Sequence, residues 1–218
     1  MTESPEAAAH GGFAAKAAHS IHGVITAMVT PYYNKPNRAG LRAHFAEVSE
    51  AAGRLPVVIY NIPSRTVINL PPDLLAELAA EHENVVAVKQ ANNDDLGPIE
   101  GLEILAGNDE VFARTLALGG SGGILVASHV VGPAMRDIYD ASTAGEADRA
   151  AEIDSRLRPI YEAMTVTSNP IPVKTALELL GVIDARMRLP MIAASESERE
   201  AVRAALSEHG MPVAGGAR

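Results

Sequence analysis

The run Pro56-Val57-Val58-Ile59-Tyr60, the helix-period segment from Pro72 to His82 and the second run Val85-Val86-Ala87-Val88 decide the fold. Both runs are apolar without alternation and rich in β-branched residues, as strands covered on both faces of a parallel sheet are. A parallel pair needs a crossover connection, and the intervening segment is long enough to supply a helix. The same alternation continues outward. Val24-Ile25-Thr26-Ala27-Met28-Val29 precedes it, and Leu102 to Ala106 and Gly123-Ile124-Leu125-Val126 follow it. Between these runs lie two more helical segments. Leu41 to Ala52 sets Leu41, Phe45 and Val48 on one face with Gly53 as its stop, and Glu110 to Leu118 ends in Gly119-Gly120. The spacing is that of successive βα units, so the class is α/β with a parallel sheet.

From Gly132 onward strand-like runs cease. Helices are expected at Pro133 to Ser142, Glu146 to Met164 with a kink at Pro159, Ile171 to Leu180, and Ser195 to His209 behind a Ser195-x-x-Glu198 capping box. The expected organisation is a βα region over residues 1–131, a helical C-terminal extension over 132–210 and a tail over 211–218.

Composition narrows the function classes. The 218 residues carry a formal net charge of −9, the wrong sign for affinity that comes from neutralising phosphates, so no nucleic-acid partner is expected. The absence of cysteine removes thiol nucleophiles, iron–sulfur clusters and thiolate-held zinc, and fits a reducing compartment. No apolar run approaches the roughly 18 to 20 residues of a membrane helix, and the start of the chain lacks the basic end and apolar centre of a secretory signal. A cytoplasmic location without a membrane partner is expected. The pair His19-x-x-His22 has no third ligand at a sensible spacing, so no metal is expected.

In parallel α/β architectures the ligand lies at the carboxyl ends of the strands. Lys89 directly follows four apolar residues there. Its amine is either solvated or placed where desolvation lowers its pKa enough to attack a carbonyl and form a Schiff base. Tyr60 ends its run in the same way and Tyr33 follows the first run. Each is either the polar tip of a core layer or a proton relay. Arg65, in a loop stiffened by Pro63, is either an exposed loop cation or a two-pronged clamp for a carboxylate. Gly107 and the stretch Gly119-Gly120-Ser121-Gly122-Gly123 allow close backbone approach but lack the ending of a nucleotide-binding loop. Asn92-Asn93-Asp94-Asp95 reads as a structural helix N-terminus.

Four strings, Val-Thr-Pro-Tyr-Tyr-Asn-Lys-Pro (29–36), Tyr-Asn-Ile-Pro-Ser-Arg-Thr (60–66), Val-Lys-Gln-Ala-Asn (88–92) and Ser-Asn-Pro-Ile-Pro-Val-Lys (168–174), resemble the dihydrodipicolinate synthase family. The resemblance runs in order from about residue 23 to about 206. It implies a TIM-type (β/α)8 barrel with a helical extension, usually a homo-tetramer. The implied reaction is the condensation of pyruvate with aspartate semialdehyde, on the way to diaminopimelate and lysine, with no cofactor beyond the covalent imine of pyruvate with Lys89. By the same resemblance Lys89 matches the Schiff-base lysine. Tyr60 matches the tyrosine that shuttles protons, and Tyr33 the one that a neighbouring subunit contributes. Arg65 matches the arginine that binds the semialdehyde carboxylate, and Gly107 and Ile124 match positions lining the pocket. Sialic-acid lyases and sugar-acid aldolases of the wider superfamily are similar around the lysine and tyrosine but not in Pro-Ser-Arg.

The departure from the pattern lies before the first run. Members open with three further βα units, one of which supplies the threonine hydroxyl linking the two tyrosines. Here Met1 to Pro5 only faintly resembles the end of that motif, and Ala7 to Ser20 resembles the helix before the fourth strand. A partial barrel of about five βα units is therefore expected, with Thr2 a poor substitute for the missing hydroxyl. Three readings follow: a lysine-pathway synthase, another pyruvate-dependent class I aldolase, or an inactive remnant that associates with relatives.

Overall fold

A computed structural model describes residues 26–213. The expected helix over Ala7 to Ser20, Thr2, the His19/His22 pair and residues 214–218 lie outside the described residues. The chain divides into two compact units, the break falling between Ile124 and Leu125.

The first unit is built on one sheet of five parallel strands in the order β1-β2-β3-β4-β5, which is also their order in the chain. These are β1 (Thr26–Val29), β2 (Val57–Asn61), β3 (Val85–Gln90), β4 (Glu103–Ala106) and β5 (Gly122–Gly123). Helix α1 (Arg38–Ala52) connects β1 to β2. The short α2 (Pro63–Thr66) and α3 (Pro72–Glu81) connect β2 to β3, and α4 (Phe112–Ala117) connects β4 to β5.

Helix α1 starts three residues before the expected Leu41, because the Asn37 side chain accepts a hydrogen bond from the Gly40 N–H and so caps a turn with no apolar periodicity. It stops at Gly53, whose φ of 60° suits a residue without a Cβ. Leu41 and Phe45 of α1 and Leu74, Leu75 and Leu78 of α3 join Val57, Ile59, Val85, Val88 and Ile104 in one core cluster. Val58, Val86, Ala87 and Leu105 form a second, smaller cluster. A register shift between Val57 and Val58 lets Val58 pair with Ala87.

Three expectations change in this unit and at the start of the next. Asn93–Asp95 is a single 3₁₀ turn capped by Asn92, not the start of a helix. Leu96 is already extended and Pro98 blocks continuation, so β3 and β4 are joined without a crossover helix. Strand β5 holds only Gly122 and Gly123, although the Ile124 N–H still donates to the Ala106 carbonyl. Ser128 and His129, just beyond the apolar run Gly123-Ile124-Leu125-Val126, open a helix that starts five residues before the expected Pro133. The N–H groups of Val130 and Val131 both reach back to the Ala127 carbonyl, and the Ser128 hydroxyl donates to the Leu125 carbonyl at 2.6 Å.

The second unit contains α5 (Ser128–Thr143), α6 (Ala147–Ala163), α7 (Ile171–Leu179) and α8 (Glu196–Glu208). Helix α5 packs on α6, and α8 packs on α6 and α7. Ile138, Leu157, Ile160, Leu179 and Leu206 are fully buried. Helix α6 runs on through Pro159 without a break, the lost hydrogen bond falling at the exposed Ser155. Non-helical backbone appears in α5 instead, at Val131, two residues before Pro133, whose ring crowds the preceding turn. The capping box is formed as expected, with the Ser195 side chain accepting from the Glu198 N–H and the Glu198 carboxylate accepting from the Ser195 N–H. Among the described residues no helix is long and apolar enough to cross a membrane.

Candidate active site

Tyr60 and Lys89 are register partners on β2 and β3, one residue before the end of each strand. Their side chains occupy the face that carries Val58 and Ala87, and Lys89 Nζ lies 4.0 Å from the centroid of the Tyr60 ring. Both residues are partly buried. Loss of hydration pulls the Lys89 amine below the ordinary lysine value, against an opposing pull from the negative charge of Asp109. Loss of hydration raises the Tyr60 phenol above its ordinary value, and the charge of Arg65 works against it. Both shifts act in the direction of the neutral amine and the protonated phenol. These are the states needed to attack a carbonyl and then donate a proton.

Several local features fix this arrangement. Thr30, fully buried at the end of β1, donates both its N–H (3.1 Å) and its hydroxyl (3.2 Å) to the Tyr60 carbonyl. The Gly107 N–H donates to the Gln90 carbonyl at 2.8 Å, carrying the β4 chain alongside the end of β3. A Cβ on Gly107 would stand 2.7 Å from that same carbonyl oxygen and 2.8 Å from the Ala91 Cβ, so the approach requires glycine. Arg65 sits on α2, which Pro63 starts and the buried Thr66 closes by donating its hydroxyl to the Ile62 and Ile68 carbonyls at 3.0 and 2.9 Å. The guanidinium is on an exposed residue, near enough in charge to act on Tyr60.

Lys89, Tyr60, Arg65 and Gly107 are therefore gathered at the strand ends. Tyr33 is not brought into contact with Lys89 or Tyr60. It lies in the loop after β1 with φ 69° and is 86% exposed. Ile124 is 39% exposed just beyond β5, its main chain bonded to Ala106. The string from Ser168 to Lys174 forms the entry turn and first turns of α7, in the second unit.

Two features went unassigned in the sequence. Asp109 is a nearly buried carboxylate that opposes the depression of the Lys89 pKa; its position after Gly107 was visible, its burial was not. Asn61 and Gln90, which directly follow Tyr60 and Lys89, are both fully buried and hydrogen-bonded to each other. Among the described residues no group of three His, Cys, Asp or Glu side chains is placed to hold a metal ion. A surface cleft on the helical unit, lined by Asp137, Arg149, Glu152 and Arg156, holds cations already paired with Glu146 and Glu152 and offers no comparable chemistry.

Known proteins place this arrangement in a family. The sequence model of the Dihydrodipicolinate synthetase family matches residues 8–209. A 4-hydroxy-tetrahydrodipicolinate synthase from Symbiobacterium thermophilum is 42% identical over 197 residues, covering 88% of this chain and 66% of its own. The crystal structure of dihydrodipicolinate synthase from Thermotoga maritima superposes with a TM-score of 0.82 at 37% identity, covering 85% of this chain and 66% of that one. A structure described as the first monomeric dihydrodipicolinate synthase variant gives a TM-score of 0.80 at 37% identity, with 85% and 65% covered. The chain thus spans about two thirds of the length of these relatives. With the family match running through both units and the strand-end lysine and tyrosine in place, the chain belongs to the Dihydrodipicolinate synthetase family.

Proposed function

We propose that the chain carries the Schiff-base centre of a pyruvate-dependent aldol-type lyase, the 4-hydroxy-tetrahydrodipicolinate synthase activity of its relatives in lysine and diaminopimelate biosynthesis. The observation that carries this reading is the desolvated Lys89 amine seated against the Tyr60 ring at the carboxyl end of the sheet. The neutral amine adds to the ketone carbon of pyruvate, and loss of water leaves an iminium. The iminium acidifies the adjacent methyl group, whose proton leaves to give an enamine, and the enamine carbon attacks the aldehyde of aspartate semialdehyde. Tyr60 handles protons in these steps, and the semialdehyde's own amine finally displaces Lys89 as the ring closes. Arg65 supplies a charge-assisted, two-pronged partner for a substrate carboxylate. Tyr33, exposed in the loop after β1, is proposed to serve the relay of a neighbouring copy in a homo-oligomer. Gly107 and Ile124 border the pocket. The setting proposed is the cytoplasm.

Borohydride reduction in the presence of pyruvate, followed by peptide mass spectrometry, tests the reading. An adduct at Lys89 together with condensation of aspartate semialdehyde is expected. An adduct without that condensation, but with cleavage or synthesis on another 2-keto-acid substrate, would move the assignment to a different class I aldolase. A folded sample with no adduct at Lys89 would sink both.

A further inference from the structure

On the face of the sheet opposite Tyr60 and Lys89, the next residues along each strand, Asn61 and Gln90, form a second register pair. Both are fully buried. Asn61 Nδ2 donates to Gln90 Oε1 at 3.0 Å, so a side-chain hydrogen bond joins β2 to β3 one step beyond the reactive pair. Gln90 Oε1 also accepts the Asn92 N–H at 3.0 Å, and Asn61 Oδ1 accepts the Leu70 N–H at 3.1 Å. The pair therefore ties the loops leaving both strands. The two hydrogen bonds that Gln90 Oε1 accepts, from Asn61 and from Asn92, fix the orientation of the Gln90 amide.

We infer that Asn61 and Gln90 are positioning residues that hold Tyr60 and Lys89 face to face, acting through the strand ends from the far side of the sheet. The inference rests on the Schiff-base reading of Lys89. Strand alternation transmits it: any slip of β3 against β2 at Gln90 shifts Lys89 along the Tyr60 ring, because adjacent residues share one backbone segment. The site needs only a small displacement to suffer, since misplacing reacting groups by about 1 Å costs on the order of a hundredfold in rate.

Two variants separate positioning from stability. Gln90→Met keeps length and burial but removes the acceptor, while Asn61 Nδ2 retains Asn69 Oδ1 at 2.8 Å and the Leu70 carbonyl at 3.2 Å, so the loop after β2 stays tied. Gln90→Glu keeps an acceptor oxygen for both Asn61 and Asn92. The chain has four lysines, at 16, 35, 89 and 174, so the ¹³C-dimethyl resonances after reductive methylation are few, and Lys89→Arg identifies the one at issue. A methylated amine over the Tyr60 ring carries an upfield ring-current shift, which Tyr60→Leu abolishes. In folded Gln90→Met that shift is expected to fall by more than half and pyruvate trapping at Lys89 to slow by about ten- to a hundredfold, while Gln90→Glu restores both. An unchanged ring-current shift in folded Gln90→Met, or no shift in the parent chain, overturns the inference. If the parent chain shows the shift but traps no pyruvate, the catalytic reading fails and the positioning role is still decided by the Gln90→Met shift.

Discussion

Lys89 Nζ stands over the Tyr60 ring, 4.0 Å from its centroid, because the two residues are register partners on adjacent parallel strands. The contact follows from strand pairing and not from the conformation of a loop. An ammonium in this place would gain from the ring face but lose hydration, and the balance lowers the amine's pKa.

Tyr60→Phe keeps the ring under the amine and removes the hydroxyl. Imine trapping at Lys89 is expected to persist, while condensation slows by about 10²- to 10⁴-fold, the usual contribution of a positioned proton donor. Parallel trapping and steady-state assays on the same sample check this, and equal losses in both would remove the proton-transfer role.

Lys89→Met is expected to raise stability at neutral pH. The native amine titrates below the ordinary lysine value, so between those two values the unfolded chain binds more protons than the folded one. Stability of the parent chain therefore rises with pH across that window. The advantage of Lys89→Met should shrink as pH climbs through it, which urea denaturation at neutral and alkaline pH would measure. A constant difference would show that the amine is not desolvated.

Gly107→Ala places a methyl 2.7 Å from the Gln90 carbonyl oxygen, a backbone atom that cannot swing away. A loss of about 1–3 kcal/mol is expected from the resulting overpacking. Denaturation midpoints report the loss, and a variant as stable as the parent would mean that the ends of β3 and β4 can part.

Val67 closes α2 with φ 67°, a left-handed conformation that a β-branched residue adopts at a cost, and it is 66% exposed. Val67→Gly is therefore expected to stabilise the chain by up to about 1 kcal/mol, the steric relief exceeding the added freedom of the unfolded chain. Thermal melting would detect it. A lower melting temperature would show that the Val67 side chain contributes contacts its exposure conceals.

The sheet and the placement of Tyr60 and Lys89 at its strand ends were legible because both depend on short-range pattern. Apolar runs mark buried strands, and Tyr60 and Lys89 sit at their ends. What escaped reading depends on register or on backbone conformations that no residue type announces. Asn61 and Gln90 look like ordinary polar residues until the pairing of β2 with β3 sets them opposite one another on the covered face. The positive φ of Tyr33 is equally silent, since no glycine or asparagine stands there to signal it. The helix start at Ser128 was hidden by the apolar run before it, which suits a strand as well as the approach to a helix.

The strand order of the sheet repeats the order of the chain, which puts β3, with Lys89, in the middle of the five strands. Each of its neighbours is itself paired on the far side, so opening β3 means opening the sheet. Fraying at either margin reaches Lys89 last. The amides of Val88 and Lys89 should thus be among the slowest to exchange with solvent in this unit, and the contact between Lys89 and the Tyr60 ring should survive local openings that release β1 or β5.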